Sequence, residues 1–494
     1  MKRNILLILA ICLINSLAFS QTFNGYALYS EQNSQNTYLI DKEGEIAHSW
    51  ACNKNGNYAV FLKEDGNILR QGVVTSASMK GAAYGGIIQE YDKDAKVVWE
   101  FTYSSSSYQA HHDFAVMPNG NVLLTAWELK SGAEMSAAGY ASSTEKWPTH
   151  IIEVQQDGTG GKVVWEWHMW DHLIQDKDAG KANYGVVADH PELMDINVSS
   201  TSKGGRDGDW FHVNGIDYNE KLDQIVFSSR YMSEIYIIDH STTTAEAASH
   251  SGGNAGKGGD FLFRYGNPSN YDATGTKSIA AAVHDPRWIK SGRPNAGYIQ
   301  FYNNSGGTGG SSVVDAINPV MAVDGYNYKF SGTFMPASNE WRHICLANST
   351  GQSASDRMTN GNVFVNVSKK YMYEVDSLGK TVWQYSASTP KAFRYECEHQ
   401  GIINLLNNPC NVSSVKDISQ NKITLYPNPT TGIFEIEGLT ISEYEVSVYT
   451  IYGQKVVSQN NKTKIDLNGI DNGHYFVQIK SGNQIITQKI ALVK

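Results

Sequence analysis

The chain has 494 residues, a net charge of −9 at pH 7, 45 glycines, 28 tyrosines and only 12 prolines. The acidic balance and the absence of a basic cluster exclude nucleic acid as a partner. No segment after the N-terminus has the 18 or so consecutive apolar residues of a membrane span, so no transmembrane segment is expected. Few runs follow a helical period, which predicts an all-β protein with one large and one small domain.

Residues 1–20 have the organisation of a secretory signal peptide. Lys2 and Arg3 precede an apolar stretch, and small residues follow it at the expected cleavage position. The mature chain is therefore expected to begin at Gln21. Cys12 lies inside the apolar stretch behind a bulky residue, which disfavours the alternative of a lipoprotein signal.

Four cysteines remain in the mature chain, and an exported protein meets an oxidising environment. Cys397 and Cys410 are close in sequence and are expected to pair, which leaves Cys52 to pair with Cys345. Four cysteines allow three connectivities, so this assignment stays open. No Cys-x-x-Cys pair is present, and neither a metal ion nor a cofactor is expected.

A repeated strand pattern predicts the fold of the large domain. An apolar strand, an Asp-centred turn and a second strand ending in an aromatic residue recur five times. These hairpins begin at Tyr38, Glu90, Glu153, Ile237 and Glu374 and end at Trp50, Phe101, Trp167, Tyr265 and Tyr385. A further strand precedes most of them, as at residues 65–69, 119–124, 223–227, 297–301 and 360–364. Strand units that recur along the chain in this way match the blades of a six-bladed β-propeller. A repetitive β-sandwich or β-helix is the alternative.

Three long Gly/Ser/Asp-rich insertions interrupt the repeats. They span residues 127–149, 168–209 and 241–259. Long loops on a rigid scaffold tend to carry binding elements, so we expect these insertions to cover one end of the central channel. His168, His172 and His190 lie in the second insertion and could line an entrance or bind a metal ion. The favoured interpretation is that they are polar loop residues.

Four polar residues are expected to converge on the channel. His112 and His284 each open a His-Asp dipeptide just before an inner strand, His212 precedes another inner strand, and Arg230 ends that strand. His399 is a weaker candidate for the same channel. Arginine and imidazole donors suit a tetrahedral anion, and neutral imidazole is a good nucleophile at pH 7. The pattern favours sulfuryl or phosphoryl transfer through a histidine adduct.

From about residue 25 to 407 the chain resembles the aryl sulfotransferase family, most strongly at residues 112–121, 209–234 and 266–285. The resemblance implies a six-bladed propeller in which His284 accepts the sulfuryl group while His112, His212 and Arg230 hold the sulfate oxygens. It implies an aryl sulfate donor and a phenolic acceptor.

Two alternatives remain open. His111 adjoins His112, which we select because it carries the His-Asp pair. The alternative function is a non-catalytic surface propeller that binds glycans or proteins. Hydrolysis of the aryl sulfate to free sulfate is a variant of the sulfuryl transfer. No phosphate-cradling Gly-rich loop is present, which argues against a nucleotide donor.

A change of composition at residues 407–421 predicts a linker between a propeller at 21–406 and a small β-sandwich at 422–494. Residues 425–432 (LYPNPTTG), 448–456 (VYTIYGQKV) and 473–477 (GHYFV) supply its alternating strands and turns. This region resembles the C-terminal sorting domain of type IX secretion. The resemblance implies passage through the periplasm to the cell surface or the exterior, with the type IX secretion machinery as a partner. His474 is therefore expected to have no catalytic role.

Overall fold

The computed structural model describes residues 22–198, 208–273, 278–407, 409–411, 423–439, 443–450, 453–481 and 484–494. The predicted signal peptide at 1–20 and most of the predicted linker lie outside the described residues. The chain divides into two compact units, Met1–Cys410 and Asn411–Lys494. None of the helices in the described ranges is long and apolar enough to cross a membrane.

The first half of the large unit forms three antiparallel sheets in chain order. The first contains β1 (Gly25–Ser30), β2 (Asn36–Ile40) and β3 (Ile46–Ala51), and the second contains β4 (Gly56–Leu62), β5 (Ile68–Val73), β6 (Gly86–Tyr91) and β7 (Val97–Thr102). The third contains β8 (Tyr108–Val116), β9 (Val122–Glu128), β10 (Thr149–Asp157) and β11 (Gly160–His168), with helix α1 (Gly132–Ala137) between β9 and β10. A 3-10 helix (Met169–Asp171), β12 (Leu173–Ile174), a second 3-10 helix (Val187–Asp189) and β13 (Met194–Asp195) follow, and β12 and β13 pair in parallel.

Three more antiparallel sheets complete the unit. The fourth contains β14 (Val213–Asn219), β15 (Gln224–Ser229), β16 (Glu234–Asp239) and β17 (Phe263–Tyr265), with helix α2 (Thr244–Ala247) between β16 and β17. After a 3-10 helix (Pro268–Tyr271), the fifth contains β18 (Val283–Trp288), β19 (Ile299–Asn303), β20 (Val313–Ile317) and β21 (Trp341–Ile344), with a 3-10 helix (Thr308–Gly310) before β20. The sixth contains β22 (Ala354–Arg357), β23 (Val363–Val367), β24 (Tyr371–Val375) and β25 (Thr381–Tyr385). Strand β26 (Ala392–Glu396), helix α3 (Gln400–Leu405) and a 3-10 helix (Pro409–Asn411) end the unit.

The last strand of this unit completes its first sheet. Strand β26 pairs antiparallel with β1, with Glu396 opposite Gly25, and gives the first sheet its fourth strand. The described residues of the unit therefore form six four-stranded antiparallel sheets, an all-β arrangement consistent with a propeller. All five predicted hairpins form, because the turn residues and the alternating apolar residues specify the same local pairing.

One predicted disulfide is confirmed and the other is wrong. Cys397 and Cys410 are bonded, whereas Cys52 and Cys345 are both free and buried. Cys52 packs in the hydrophobic cluster around Trp50, and Cys345 packs in a separate cluster around Tyr373. The two thiols belong to different cores, so the pairing inferred by elimination does not form.

The C-terminal unit contains seven described strands in two antiparallel sheets. They are β27 (Thr424–Tyr426), β28 (Ile433–Glu437), β29 (Glu445–Thr450), β30 (Lys455–Asn460), β31 (Lys464–Asp466), β32 (Gly473–Ser481) and β33 (Gln484–Leu492). The sheet orders are β27-β28-β31 and β30-β29-β32-β33. Residues from both sheets, including Phe434 and Val448, form one hydrophobic cluster. Strand β28 alternates exposed and buried residues, as a strand with one face on a core requires.

Candidate active site

A cavity of about 690 Å³ in the large unit is lined by all four predicted site residues, His112, His212, Arg230 and His284. Lys369 and Lys370 also line it. Among the described lining residues three are Arg or Lys and none is Asp or Glu. A cavity with this charge attracts anions, and its walls do not repel a sulfate or phosphate group.

The first strands of three sheets bring the histidines together. His112 lies within β8 and His284 within β18, rather than just before an inner strand as the sequence predicted, while His212 immediately precedes β14. Strand β14 packs against both β8 and β18. Each of these three strands has a register shift near its histidine. Such bulges redirect side chains and occur often next to active sites.

The backbone at these positions adopts the left-handed conformation that non-glycine residues seldom use. His112 has φ of 48° and His212 has φ of 54°. His284 has ordinary φ, but its neighbours Ala282 and Asp285 have φ of 55° and 53°. Each such residue costs roughly 1 to 3 kcal/mol and persists only where the surrounding structure imposes it. Strained backbone at His112 and His212 and beside His284 is typical of a functional site.

The hydrogen-bond partners of His284 determine which ring nitrogen carries the proton. Its Nδ1 lies 2.6 Å from Oδ1 of Asn304 and 3.0 Å from the carbonyl oxygen of Ala282. Both partners accept, so Nδ1 carries the hydrogen and Nε2 keeps its lone pair. Asn304 is itself oriented, because its Nδ2 donates to the carbonyl of Ser349 at 2.9 Å. Burial, followed by the charge of Arg230, holds the pKa of His284 well below its usual value. The ring is therefore neutral at pH 7 and has an unprotonated Nε2.

His212 forms a pair with the buried carboxylate of Asp209. Nδ1 of His212 donates to Oδ2 of Asp209 at 2.6 Å, and Oδ1 accepts from Nε1 of Trp127 at 3.0 Å. Burial opposes ionisation of Asp209, but the charge and hydrogen bond of His212 outweigh it and lower the pKa of the carboxyl. The ionised carboxylate orients the imidazole and leaves Nε2 as the nitrogen able to take or give a proton.

His111 lies behind His112 and does not line the cavity. It is fully buried, stacks on Trp127 with ring centroids 4.0 Å apart, and has no hydrogen-bond partner at Nε2. Its Nδ1 lies 2.8 Å from Nδ1 of His112. If Nδ1 of His111 carries the hydrogen, its one N–H is satisfied and His112 carries its own hydrogen on Nε2. His112 is then a neutral donor, consistent with burial holding its pKa well below the usual value.

Arg230 follows β15 and is half-buried at the cavity. One of its terminal nitrogens, Nη2, donates to the carbonyl oxygen of Thr350 at 2.6 Å. The guanidinium carbon lies 5.9 Å from the centre of the Tyr231 ring, and that ring lies 4.5 Å from the ring of His212. These contacts fix one edge of the guanidinium and leave further donors for a bound anion.

A buried lysine that the sequence analysis did not predict contacts the residues next to His112 and His284. Nζ of Lys391 lies 2.6 Å from Oδ2 of Asp113 and 2.7 Å from Oδ1 of Asp285, and all three side chains are at most 1% exposed. These carboxylates belong to the His-Asp dipeptides of His112 and His284. Lys391, Asp113 and Asp285 form a charged triad that connects three sheets just behind the cavity.

None of the described residues of the three insertions lines the cavity, although Trp127 stacks on His111 and Asp209 binds His212. Residues 199–207 of the second insertion lie outside the described residues, so the predicted cover stays a prediction. His168, His172, His190 and His399 also lie elsewhere in the described structure. His399 accepts a hydrogen bond from the backbone N–H of Gly401 and caps helix α3.

Comparisons with known proteins give a family for the large unit and a sorting function for the small one. Residues 10–318 match the profile of the family described as Arylsulfotransferase (ASST), and residues 424–493 match the secretion system C-terminal sorting domain of type IX secretion. The chain is 26% identical over 218 residues to the arylsulfate sulfotransferase AssT of Escherichia coli O6:H1. That match covers 41% of this chain and spans 34% of the relative's length.

Similar solved structures are distant. A protein of unknown function from Bacteroides caccae shares 12% identity with a TM-score of 0.41, over 75% of this chain and 98% of that chain. BamB from Moraxella catarrhalis shares 9% identity with a TM-score of 0.32, over 76% of this chain and 80% of that chain. Similarities at these TM-scores assign neither fold nor function.

Proposed function

The chain belongs to the arylsulfotransferase family, and we propose that it is an exported enzyme that transfers a sulfuryl group from an aryl sulfate ester to a phenolic acceptor. The observation that carries this proposal is the neutral His284 ring in a cationic cavity, with Nδ1 held by Asn304 and Nε2 free to attack. No cofactor takes part in the proposed reaction.

In the first step Nε2 of His284 attacks the sulfur of the aryl sulfate. The N–S bond forms while the bond between sulfur and the aryl oxygen breaks, and the phenolate leaves with the bonding electron pair. Arg230 and the Nε2–H groups of His112 and of protonated His212 contact the sulfuryl oxygens and stabilise the charge that develops there. His212 then passes its Nε2 proton to the departing phenolate oxygen, so that its Nε2 is unprotonated when the second step begins. The hydrogen bond from Nδ1–H to Asn304 stabilises the positive charge that the ring gains.

In the second step the oxygen of a phenolic acceptor attacks the sulfur of the sulfo-histidine. The N–S bond breaks, its electron pair returns to Nε2 of His284, and the phenol loses its proton. The Asp209–His212 pair is suited to accept that proton, because Asp209 holds Nδ1–H and so leaves Nε2 as the basic nitrogen. Water in place of the phenol would give free sulfate.

The architecture supports a finer domain assignment. We assign residues 21–406 to a six-bladed propeller, 407–421 to a linker and 422–494 to a β-sandwich, with the signal peptide at 1–20. Six four-stranded sheets, and closure of the first by β26, support the blade count. The sorting domain indicates secretion to the cell surface or the exterior and implies the type IX secretion machinery as a partner. Passage through the periplasm follows from the signal peptide.

The central experiment incubates the purified mature protein with p-nitrophenyl sulfate, with and without phenol. Release of p-nitrophenol should depend on phenol, and phenyl sulfate should form in equal amount. His284→Ala should lower turnover by at least about 10³-fold, because removal of a covalent nucleophile eliminates both steps. The matched control is His474→Ala, which changes an exposed histidine of the sorting domain and should keep full turnover.

An acid-labile sulfuryl adduct should be trapped on the native protein and be absent from His284→Ala. If the variant keeps its turnover or still forms the adduct, His284 is not the nucleophile. If the native protein neither transfers nor hydrolyses, the propeller is better explained as a surface module that binds glycans or proteins.

A further inference from the structure

Two clusters of histidine and carboxylate side chains lie outside the cavity. One contains His150, Glu166 and His168, and the other contains His172, His250 and Asp260. In the first, the two imidazole rings stack with centroids 4.0 Å apart, and their Nε2 atoms lie 3.4 and 3.8 Å from Oε2 of Glu166. In the second, the rings of His172 and His250 meet edge to face at 5.8 Å and 86°, and their Nδ1 atoms lie 2.8 and 2.7 Å from Oδ1 of Asp260. The second cluster holds its nitrogens closer to the shared carboxylate oxygen.

The surroundings of His172 require a cation at Nδ1. The ring is fully buried, and its Nε2 lies 2.8 Å from the carbonyl oxygen of Ala247, which can only accept. Nε2 therefore carries a hydrogen, and in the neutral ring Nδ1 is a bare lone pair. That lone pair lies 2.8 Å from Oδ1 of Asp260, which is another acceptor. Two acceptors at this distance repel each other unless a proton or a metal ion lies between them.

The position of His250 favours a metal ion over a proton at this point. Its Nδ1 lies 2.7 Å from the same Oδ1 of Asp260, so two imidazole nitrogens and one carboxylate surround a single position. Histidines that bind metals usually donate their other N–H to a backbone carbonyl or a carboxylate, as His172 does to Ala247. Two imidazoles and one carboxylate are ligands that zinc and similar ions prefer.

We propose that His172, His250 and Asp260 bind one divalent transition-metal ion of the zinc type. Around a tetrahedral ion with bonds of about 2.0 to 2.2 Å, ligand atoms lie roughly 3.3 Å apart, so each imidazole nitrogen must move about half an ångström away from Oδ1 of Asp260. His250 can supply this movement, because its side chain is 61% exposed. That exposure also gives water access to the fourth position.

The ion would bind together two insertions of the large unit. His172 follows the 3-10 helix Met169–Asp171 after β11, while His250 and Asp260 lie between α2 and β17. The insertions already meet here, since Nε2 of His172 donates to the carbonyl of Ala247 at 2.8 Å. A Cβ at Gly259 would lie 2.5 Å from Nε2 of His172, so only glycine allows this close approach. None of the three ligands lines the cavity, and the site is independent of the proposed sulfotransferase activity. It revises the expectation that the chain binds no metal.

The test measures zinc directly. The full mature chain is stripped with a chelator, dialysed and titrated with Zn²⁺ by calorimetry, and metal content is measured by mass spectrometry after gel filtration. We expect one equivalent of Zn²⁺ per chain and a thermal midpoint that rises on addition of the ion. His250→Gln should weaken binding by at least about 10-fold, because one of three ligands is lost.

The control variant is His190→Gln. It alters an exposed histidine of the insertion that carries His172, and it should bind zinc as the native chain does. Asp260→Asn is a second ligand variant, and it should also lose the rise in thermal midpoint. The proposal is overturned if the native chain retains no zinc, because a proton then lies between Asp260 and each ring. It is also overturned if both ligand variants bind with native affinity, because the zinc then occupies another site such as the histidines of the cavity.

Discussion

His284 in the cavity and His240 between two sheets show opposite uses of the same side chain. Both ring nitrogens of His240 face carboxylates, with Nδ1 2.7 Å from Asp223 and Nε2 3.1 Å from Glu153. His284 has only neutral acceptors at Nδ1 and a guanidinium nearby. Burial lowers the pKa of both rings, but the two carboxylates outweigh it at His240 and raise its pKa to about 9. His284 stays neutral and keeps a lone pair for attack.

Since burial acts in the same direction on both rings, the charge of the neighbouring groups accounts for the difference between their pKa values. A ring held between carboxylates is a cation at pH 7 that joins two sheets and has no free lone pair. A ring held by an amide near an arginine is neutral at pH 7 and keeps the lone pair that the proposed attack requires. The described lining of the cavity supplies no carboxylate that would protonate His284.

The largest effect is expected from removing the positive charge of Lys391, which Asp113 and Asp285 share. Lys391→Met should lower the free energy of unfolding by about 3 to 5 kcal/mol, because Asp113 and Asp285 lose their shared buried partner. Chemical denaturation followed by tryptophan fluorescence measures the change. The matched control is Lys93→Met, which breaks an exposed ion pair with Asp94 and should cost less than about 1 kcal/mol. If the two variants lower the free energy of unfolding equally, the charged triad does not stabilise the fold around the cavity.

A smaller effect is expected from a substitution of Arg230, which lines the cavity. Arg230→Lys keeps the positive charge that holds His284 neutral but loses the planar pair of donors. If those donors contact oxygens that gain charge during transfer, turnover should fall by about 10²- to 10³-fold, or about 2.7 to 4 kcal/mol, while KM changes less. Steady-state kinetics with p-nitrophenyl sulfate and phenol separate the two constants. Unchanged turnover with a raised KM would make Arg230 a docking residue.

The sequence predicted what short patterns encode and missed what depends on distant contacts. The five hairpins follow from turn residues and alternation, and the four site residues were found because they recur beside the repeats. Lys391 carries no such pattern, since its partner Asp113 is 278 residues away. Asn304 lies in an ordinary polar turn, and only the structure shows that it orients His284. Loop length alone does not show which way an insertion folds, and none of the described residues of the insertions lines the cavity.

The smallest effect concerns His240 and appears only as a dependence on pH. Its folded pKa of about 9 exceeds the unfolded value of 6.5, so its stabilisation is complete below pH 6.5 and is lost as the pH rises through 9. Because one pKa unit corresponds to about 1.36 kcal/mol, the rise from 6.5 to about 9 makes the loss at most about 3.4 kcal/mol. Denaturation of the native chain and of His240→Gln at several pH values between 6 and 10 measures it. The glutamine variant lacks the titrating group, so its stability should change less over this interval. Parallel curves for the two proteins would mean that His240 is already neutral between its carboxylates, and the contrast with His284 would then rest on access to the cavity alone.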